Sequence, residues 1–201
     1  MTAGPAPPGA GDGPAGALPL PEPPLADPDA GIVLRPWGRP HDASALADAW
    51  DDPALRAAGT VPADASPELA ARWIAGEATR RARGLALDLV VAPLAAAGGD
   101  VEEADAVWGE VGLRNIDPGA GRAEIGWWIS APVRRRGLAS AAVSLLAGWG
   151  LGPPLGLRQV WARIDRANVA AARVAVRAGF RHLGDVERTA VWARTAAIVA
   201  S

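Results

Sequence analysis

Six consecutive residues, Arg134-Arg135-Arg136-Gly137-Leu138-Ala139, set three guanidinium groups and a glycine between a strand-like run and an apolar-periodic helix. That combination can hold an anion. A helix N-terminus offers unpaired backbone N–H groups and a partial positive charge, glycine lets the backbone approach, and arginine adds full charge. The sequence assigns this turn to the pyrophosphate of a cofactor; a solvated basic turn is the plainer alternative. Few other residues offer chemistry. With no cysteine, disulfides, thiolate catalysis and cysteine metal sites are excluded. Two histidines, His41 and His182, are too few for a histidine-rich metal site, and no metal is expected. Lysine and tyrosine are absent, so all 20 basic residues are arginine. Glu110 and Glu124 stand inside strand-like runs, whereas Asp185 and Glu187 read as surface charges.

The elements that must position these groups follow from periodicity and punctuation. Residues Ile32 to Trp37 read as a short strand, and Asp42 as the N-cap of a helix through Trp50. Ser66-Pro67-Glu68 is a helix start with a capping serine, a proline at the first helical position and an acid in the first turn, and that helix runs to about Gly84. Leu85 to Val91 is a strand, and Pro93 to Asp105 a hairpin loop. Val107 to Ile116 and Arg122 to Ser130 form an antiparallel pair turned at Asp117-Pro118-Gly119. Leu138, Ala142, Leu145, Leu146 and Trp149 then mark one face of a helix. Gln159 to Ile164 is a strand, Asn168 to Ala178 a short helix closed by Gly179, and Arg181 to Val186 and Ala190 to Val199 are closing strands. The order β-α-α-β-β-β-α-β-α-β-β predicts a mixed α/β chain of the α+β type, not a regularly alternating one.

The 201 residues suffice for one domain with a real core. Half of them are apolar and the formal net charge is −2, which counts against a nucleic-acid binder. No run approaches the ~18 apolar residues of a membrane span, and no basic and apolar leader opens the chain, so a cytoplasmic protein without membrane partners is expected. Nine prolines within residues 1–30 predict a disordered Pro/Gly/Ala-rich tail ahead of a single domain at 31–201.

Four stretches, in order, resemble the GNAT N-acetyltransferases, in particular their RimJ/RimL-like branch. They are Leu34-Arg35-Pro36-Trp37 with His41-Asp42-Ala43; Val111 to Asp117 with Ala123 to Ile129; Arg134 to Ala139, which matches the acyl-CoA signature Arg or Gln-x-x-Gly-x-Gly or Ala; and Asn168 to Val174 with Ala178-Gly179-Phe180. The resemblance spans about residues 32 to 186. It implies a mostly antiparallel sheet whose central strand splays from its neighbour, with helices on both faces. It also implies transfer of an acetyl group from acetyl-CoA to an amine, either a protein N-terminus or a small molecule, by direct attack in a ternary complex. Backbone groups from Trp128 through Ile129 to Ser130 would pair with pantetheine. The turn Arg134, Arg135, Arg136, Gly137, Leu138, Ala139 and Ser140 would receive the pyrophosphate, Asn168 would contact the cofactor near the pantetheine, and Arg173 would reach its nucleotide end. Glu124, on the central strand before the splay, is the leading candidate for general base; its alternative is a carboxylate paired to arginine on the sheet. Glu110, on the neighbouring strand, is second.

The departures fall on the chemistry. Ala171 occupies the serine position of the branch's Asn-x-x-Ser motif, no tyrosine can replace it, Arg135 stands where the signature usually has glycine, and the loop after Val186 is short. They motivate a second reading, a weakened acyl-CoA-binding sensor or partner subunit that keeps only the cofactor site. The acceptor is not legible, and a monomer and a homodimer are equally compatible with the sequence.

Overall fold

The computed structural model describes residues 16–57, 61–95 and 105–197. Its strands are β1 (Ala26–Asp27), β2 (Ile32–Pro36), β3 (Ala86–Pro93), β4 (Gly109–Asp117), β5 (Arg122–Ile129), β6 (Gln159–Asp165), β7 (Arg181–Val186) and β8 (Thr189–Thr195). The helices are α1 (Asp42–Trp50), α2 (Pro53–Ala57), α3 (Pro67–Ala75), α4 (Glu77–Ala82), α5 (Leu138–Leu151) and α6 (Val169–Arg177). The strands form one sheet in the order β1-β2-β3-β4-β5-β6-β8-β7. Every neighbouring pair is antiparallel except β5 and β6. The expected mixed, mostly antiparallel architecture is present.

Strand alternation divides the sheet into two faces. Leu87, Leu89, Val91, Val111, Leu113, Ala123 and Ile125 point to one side and pack with Leu138, Ala142, Val143 and Leu146 of α5. Val90 and Ala92 point to the other, against Leu46 and Trp50 of α1, with Leu69, Trp73 and Trp128 alongside. The adjacent tryptophans of β5 therefore part company: Trp127 joins the α5 side and Trp128 the α1–α3 side.

β5 and β6 pair at only three positions, Arg122↔Gln159, Ala123↔Val160 and Glu124↔Trp161. Beyond Glu124, β5 continues to Ile129 while β6 runs on to Asp165 paired only with β8. The strands start together and then diverge, so the sheet opens toward their shared C-terminal end. The arginine turn follows β5 and Asn168 follows β6, which brings both to that end.

Four expectations need correction. The tail does not extend over all of residues 1–30: Leu18 is 5% exposed within the core, its N–H donates to the Arg81 carbonyl (3.0 Å), and Ala26–Asp27 adds an edge strand. Leucines at 18, 20 and 25 supply apolar surface that proline content masked. The helix expected from Ser66 to Gly84 is broken at Gly76 into α3 and α4. His41, not Asp42, is the N-cap of α1; the Asp42 side chain instead accepts from the backbone N–H groups of Gly38 and Arg39 and from the Arg35 guanidinium. Strand β8 ends at Thr195, and residues 198–199 of the strand expected to Val199 lie outside the described residues. Most of the loop expected over Pro93 to Asp105 lies outside the described residues. Among the described residues no helix is long and apolar enough to cross a membrane.

Candidate active site

At the open end of the sheet, Ser130 leaves β5 with its N–H donating to the Trp108 carbonyl (2.8 Å). Alternation then turns the N–H and C=O of Trp128 toward β4, and those of Trp127 and Ile129 toward the gap between β5 and β6. The gap-facing backbone is thus that of Trp127 and Ile129, a shift from the expected Trp128-to-Ser130 stretch.

The arginine turn is not uniform. The half-buried Arg134 faces inward: its Nε donates to the Ile129 carbonyl (2.8 Å) and Nη2 pairs with Asp52, which follows α1. Burial alone would push Asp52 up, but the Ala54 N–H and the Arg134 guanidinium outweigh it and hold the carboxyl below its ordinary range. Arg135 and Arg136 are exposed, and Arg136 lies 5.0 Å from the Trp108 ring. Arg135 (φ +66°) and Gly137 (φ +85°) take left-handed conformations that curl the chain into α5, a position glycine occupies without the Cβ penalty. No side chain caps α5. The N–H groups of Ser140 and Ala141 already donate to the Gly137 carbonyl (3.0 and 3.2 Å), which restricts the anion cradle to the N–H groups from Arg135 to Ala139. Leu138 is buried in the core and anchors the helix from below.

Asn168 caps α6, its side-chain oxygen accepting from the Ala171 N–H (2.9 Å). The carboxamide NH2 remains as a donor. Arg173 is exposed on the same helix, beside a shallow groove that Val169, Ala172 and Val176 line. Ala171 itself is half-buried against the core.

Two glutamates lie on the α1–α3 face of the sheet, in very different company. Glu124 is 1% exposed. It accepts from Arg114 Nη2 (3.2 Å), Asn115 Nδ2 (2.7 Å), Arg163 Nε (3.4 Å) and Arg163 Nη2 (3.2 Å). Asn115 reaches it from an irregularity in β4, where the register with β5 shifts and the asparagine adopts φ +48°. Two guanidinium groups and an amide thus tie this carboxylate to β4 and β6. The paired-carboxylate reading of Glu124 is the one the geometry favours.

Glu110 has the opposite surroundings. It sits on β4 directly across from Trp128 of β5 and beside Val90 of β3. Burial, joined by the negative charge of Asp88, pushes its carboxyl up to about 8, against the weaker pull of Arg114, Arg80 and a hydrogen bond from Trp128. A group with that affinity can take up and give back a proton near neutrality. Asp88 is also pushed up by burial, while Arg80 and Arg114 draw it down. Arg80 in turn is held over the Trp73 ring at 4.3 Å and donates to the Trp73 carbonyl (3.0 Å).

The structure therefore gathers Ser130 and Arg134 to Ser140 at the mouth of the gap, with Asn168 beyond the end of β6. The carboxylate whose proton affinity is raised to about 8 stands on β4. Sequence reasoning missed Asp88, Arg80, Asn115 and Arg163. Two signals were available: an acid inside the apolar run Leu85 to Val91, and an asparagine inside a strand, where that residue is depleted.

A mixed sheet with one parallel pair that opens onto an uncapped helix N-terminus is the architecture expected of a coenzyme A–dependent acyltransferase. The acetyltransferase (GNAT) domain family matches residues 32–181, and the chain belongs to it. It is an acetyltransferase that takes its acetyl group from acetyl-CoA. Among curated proteins none matches the sequence. Solved structures show the same fold at low identity. RimJ of Mycobacterium smegmatis, in complex with a CoA disulfide, is 22% identical with a TM-score of 0.63, over 86% of each chain. A putative ribosomal-protein-serine acetyltransferase from Vibrio cholerae is 16% identical with a TM-score of 0.70, over 88% of this chain and 99% of that one. The ribosomal alpha-N-protein acetyltransferase RimL, in complex with coenzyme A, is 17% identical with a TM-score of 0.68, over 82% and 94%.

Proposed function

We propose that the chain acetylates a primary amine, at a protein N-terminus or on a small molecule, by direct attack in a ternary complex, with Glu110 taking the amine's proton. The observation that carries this reading is the setting of Glu110: a half-buried carboxylate on β4 opposite Trp128, one strand in from the gap between β5 and β6, with its affinity raised to about 8.

The residues present fit acetyl-CoA. An uncapped helix N-terminus beside two exposed arginines suits a pyrophosphate, so the N–H groups from Arg135 to Ala139 and the side chains of Arg135 and Arg136 would hold it. Trp127 and the Ile129 N–H offer gap-facing backbone groups for the pantetheine amides, the Ile129 carbonyl being held by Arg134, while Asn168 offers an amide donor near them and Arg173 a charge toward the nucleotide end. Arg134 is better read as a brace for the turn. Acetyl-CoA supplies an acyl group already activated as a thioester. Gap-facing N–H groups polarise its carbonyl, and Glu110 accepts the proton, directly or through a water, as the C–N bond forms and the C–S bond breaks. With Ala171 in place of a hydroxyl, that position offers no proton to the departing thiolate. A thiolate is a good enough leaving group to go without one, and general acid help is worth only ~10²–10⁴-fold.

Purified protein given acetyl-CoA and a panel of amines should release coenzyme A above background. Glu110→Gln should lose that turnover and keep acetyl-CoA binding. Tight binding with no turnover on any amine would instead favour the sensor reading that Ala171 and the missing tyrosine suggest.

A further inference from the structure

We propose that Asp88, leaning over the bare backbone of Gly112 and tied to Arg80, is a positioning residue for this reaction that acts through its diagonal neighbour Glu110. This rests on the reading of Glu110 as the base.

The geometry starts from register. Asp88 lies across from Gly112 and Val90 across from Glu110, so Asp88 is the diagonal neighbour of Glu110 on the same face. Gly112 leaves the space that the Asp88 carboxylate occupies. A Cβ there would meet Asp88 Oδ1 at 2.6 Å, so a larger residue would push the carboxylate aside. On its other side Asp88 is held by Arg80 Nη2 at 3.3 Å, and Arg80 is fixed by Trp73.

The charged and polar groups that act on Glu110 are Asp88 from β3, Arg80 from α4, Arg114 from its own strand and the Trp128 indole from β5. Glu77 of α4 faces Asp88 in turn. Two carboxylates close together cannot both ionise easily, so Asp88 delays the loss of the Glu110 proton, while Arg80 hastens it. A helix and a strand outside the reacting pair thereby tune the base from opposite directions.

The test needs no acceptor. The full-length protein, carrying carboxyl-labelled glutamate, is titrated by carbon-13 NMR, and Glu110→Gln identifies the Glu110 resonance by its loss. Asp88→Asn should lower the Glu110 midpoint by roughly one pH unit or more, Arg80→Gln should raise it, and Asp88→Glu should restore it nearly to wild type. Gly112→Ala, which displaces Asp88 while keeping both carboxylates, should lower it as Asp88→Asn does. A wild-type resonance titrating in the ordinary glutamate range would overturn the reading of Glu110 itself. An elevated midpoint that Asp88→Asn and Arg80→Gln leave in place would overturn the role of Asp88 alone.

Discussion

Glu124 and Glu110 stand on adjacent strands and the same face of the sheet, yet they are prepared for opposite work. Glu124 is the more buried by exposed area, and its partners are all donors. Glu110 keeps some contact with solvent, but the strongest charged influence on it is another carboxylate. At Glu110 burial and that like charge act together against ionisation. A caged carboxylate holds strands together, and a carboxylate beside a like charge can move a proton.

The largest expected difference is in turnover. Glu110→Gln should lower kcat/KM by about 10²–10⁴-fold with acetyl-CoA affinity nearly unchanged, whereas Glu124→Gln should change kcat/KM only a few-fold. Equal losses in the two variants would break the comparison. Next, Arg135→Glu combined with Arg136→Glu should weaken acetyl-CoA binding about 10–100-fold by isothermal titration, an effect that salt partly masks in wild type. Unchanged affinity would remove the pyrophosphate from this turn.

Stability should separate the glutamates in sign. Glu124→Gln should cost about 1–2 kcal/mol in urea unfolding, a modest loss because Arg114 and Arg163 are half exposed and can turn to water. Glu110 runs the other way. Its folded affinity lies above the ordinary glutamate value of 4.5, so the fold loses stability as pH rises from that value through about 8. Glu110→Gln removes the loss, so at pH 9 the variant should melt above wild type. The smallest effect is expected at the brace: Asp52→Asn should cost under ~1 kcal/mol, and a detectable rise in KM for acetyl-CoA would show that the Arg134 link reaches the cradle.

Much of the architecture was legible because periodicity and punctuation agreed. Leu138 and Ala142 on one helical face, the Asp117-Pro118-Gly119 turn and the Asn168 cap all appear where the pattern places them. The arginine turn was legible as a strand-to-helix turn for the same reason, as its residues are contiguous. The base we propose was not, because that reading depends on which side chains three strands bring together. Glu124 looked suitable while its partners Asn115 and Arg163 were unknown, and Glu110 looked ordinary until register set Asp88 diagonal to it. The second half of the tail was misread because proline content was weighed above Leu18, Leu20 and Leu25.

The pH dependence of kcat/KM, measured on wild type, Glu110→Gln and Glu124→Gln with one competent amine, tests the central claim most directly. The base must be deprotonated to act, so wild type should lose activity as pH falls through about 8, Glu124→Gln should keep that limb, and Glu110→Gln should lack it. A limb that persists in Glu110→Gln and disappears in Glu124→Gln would contradict the account.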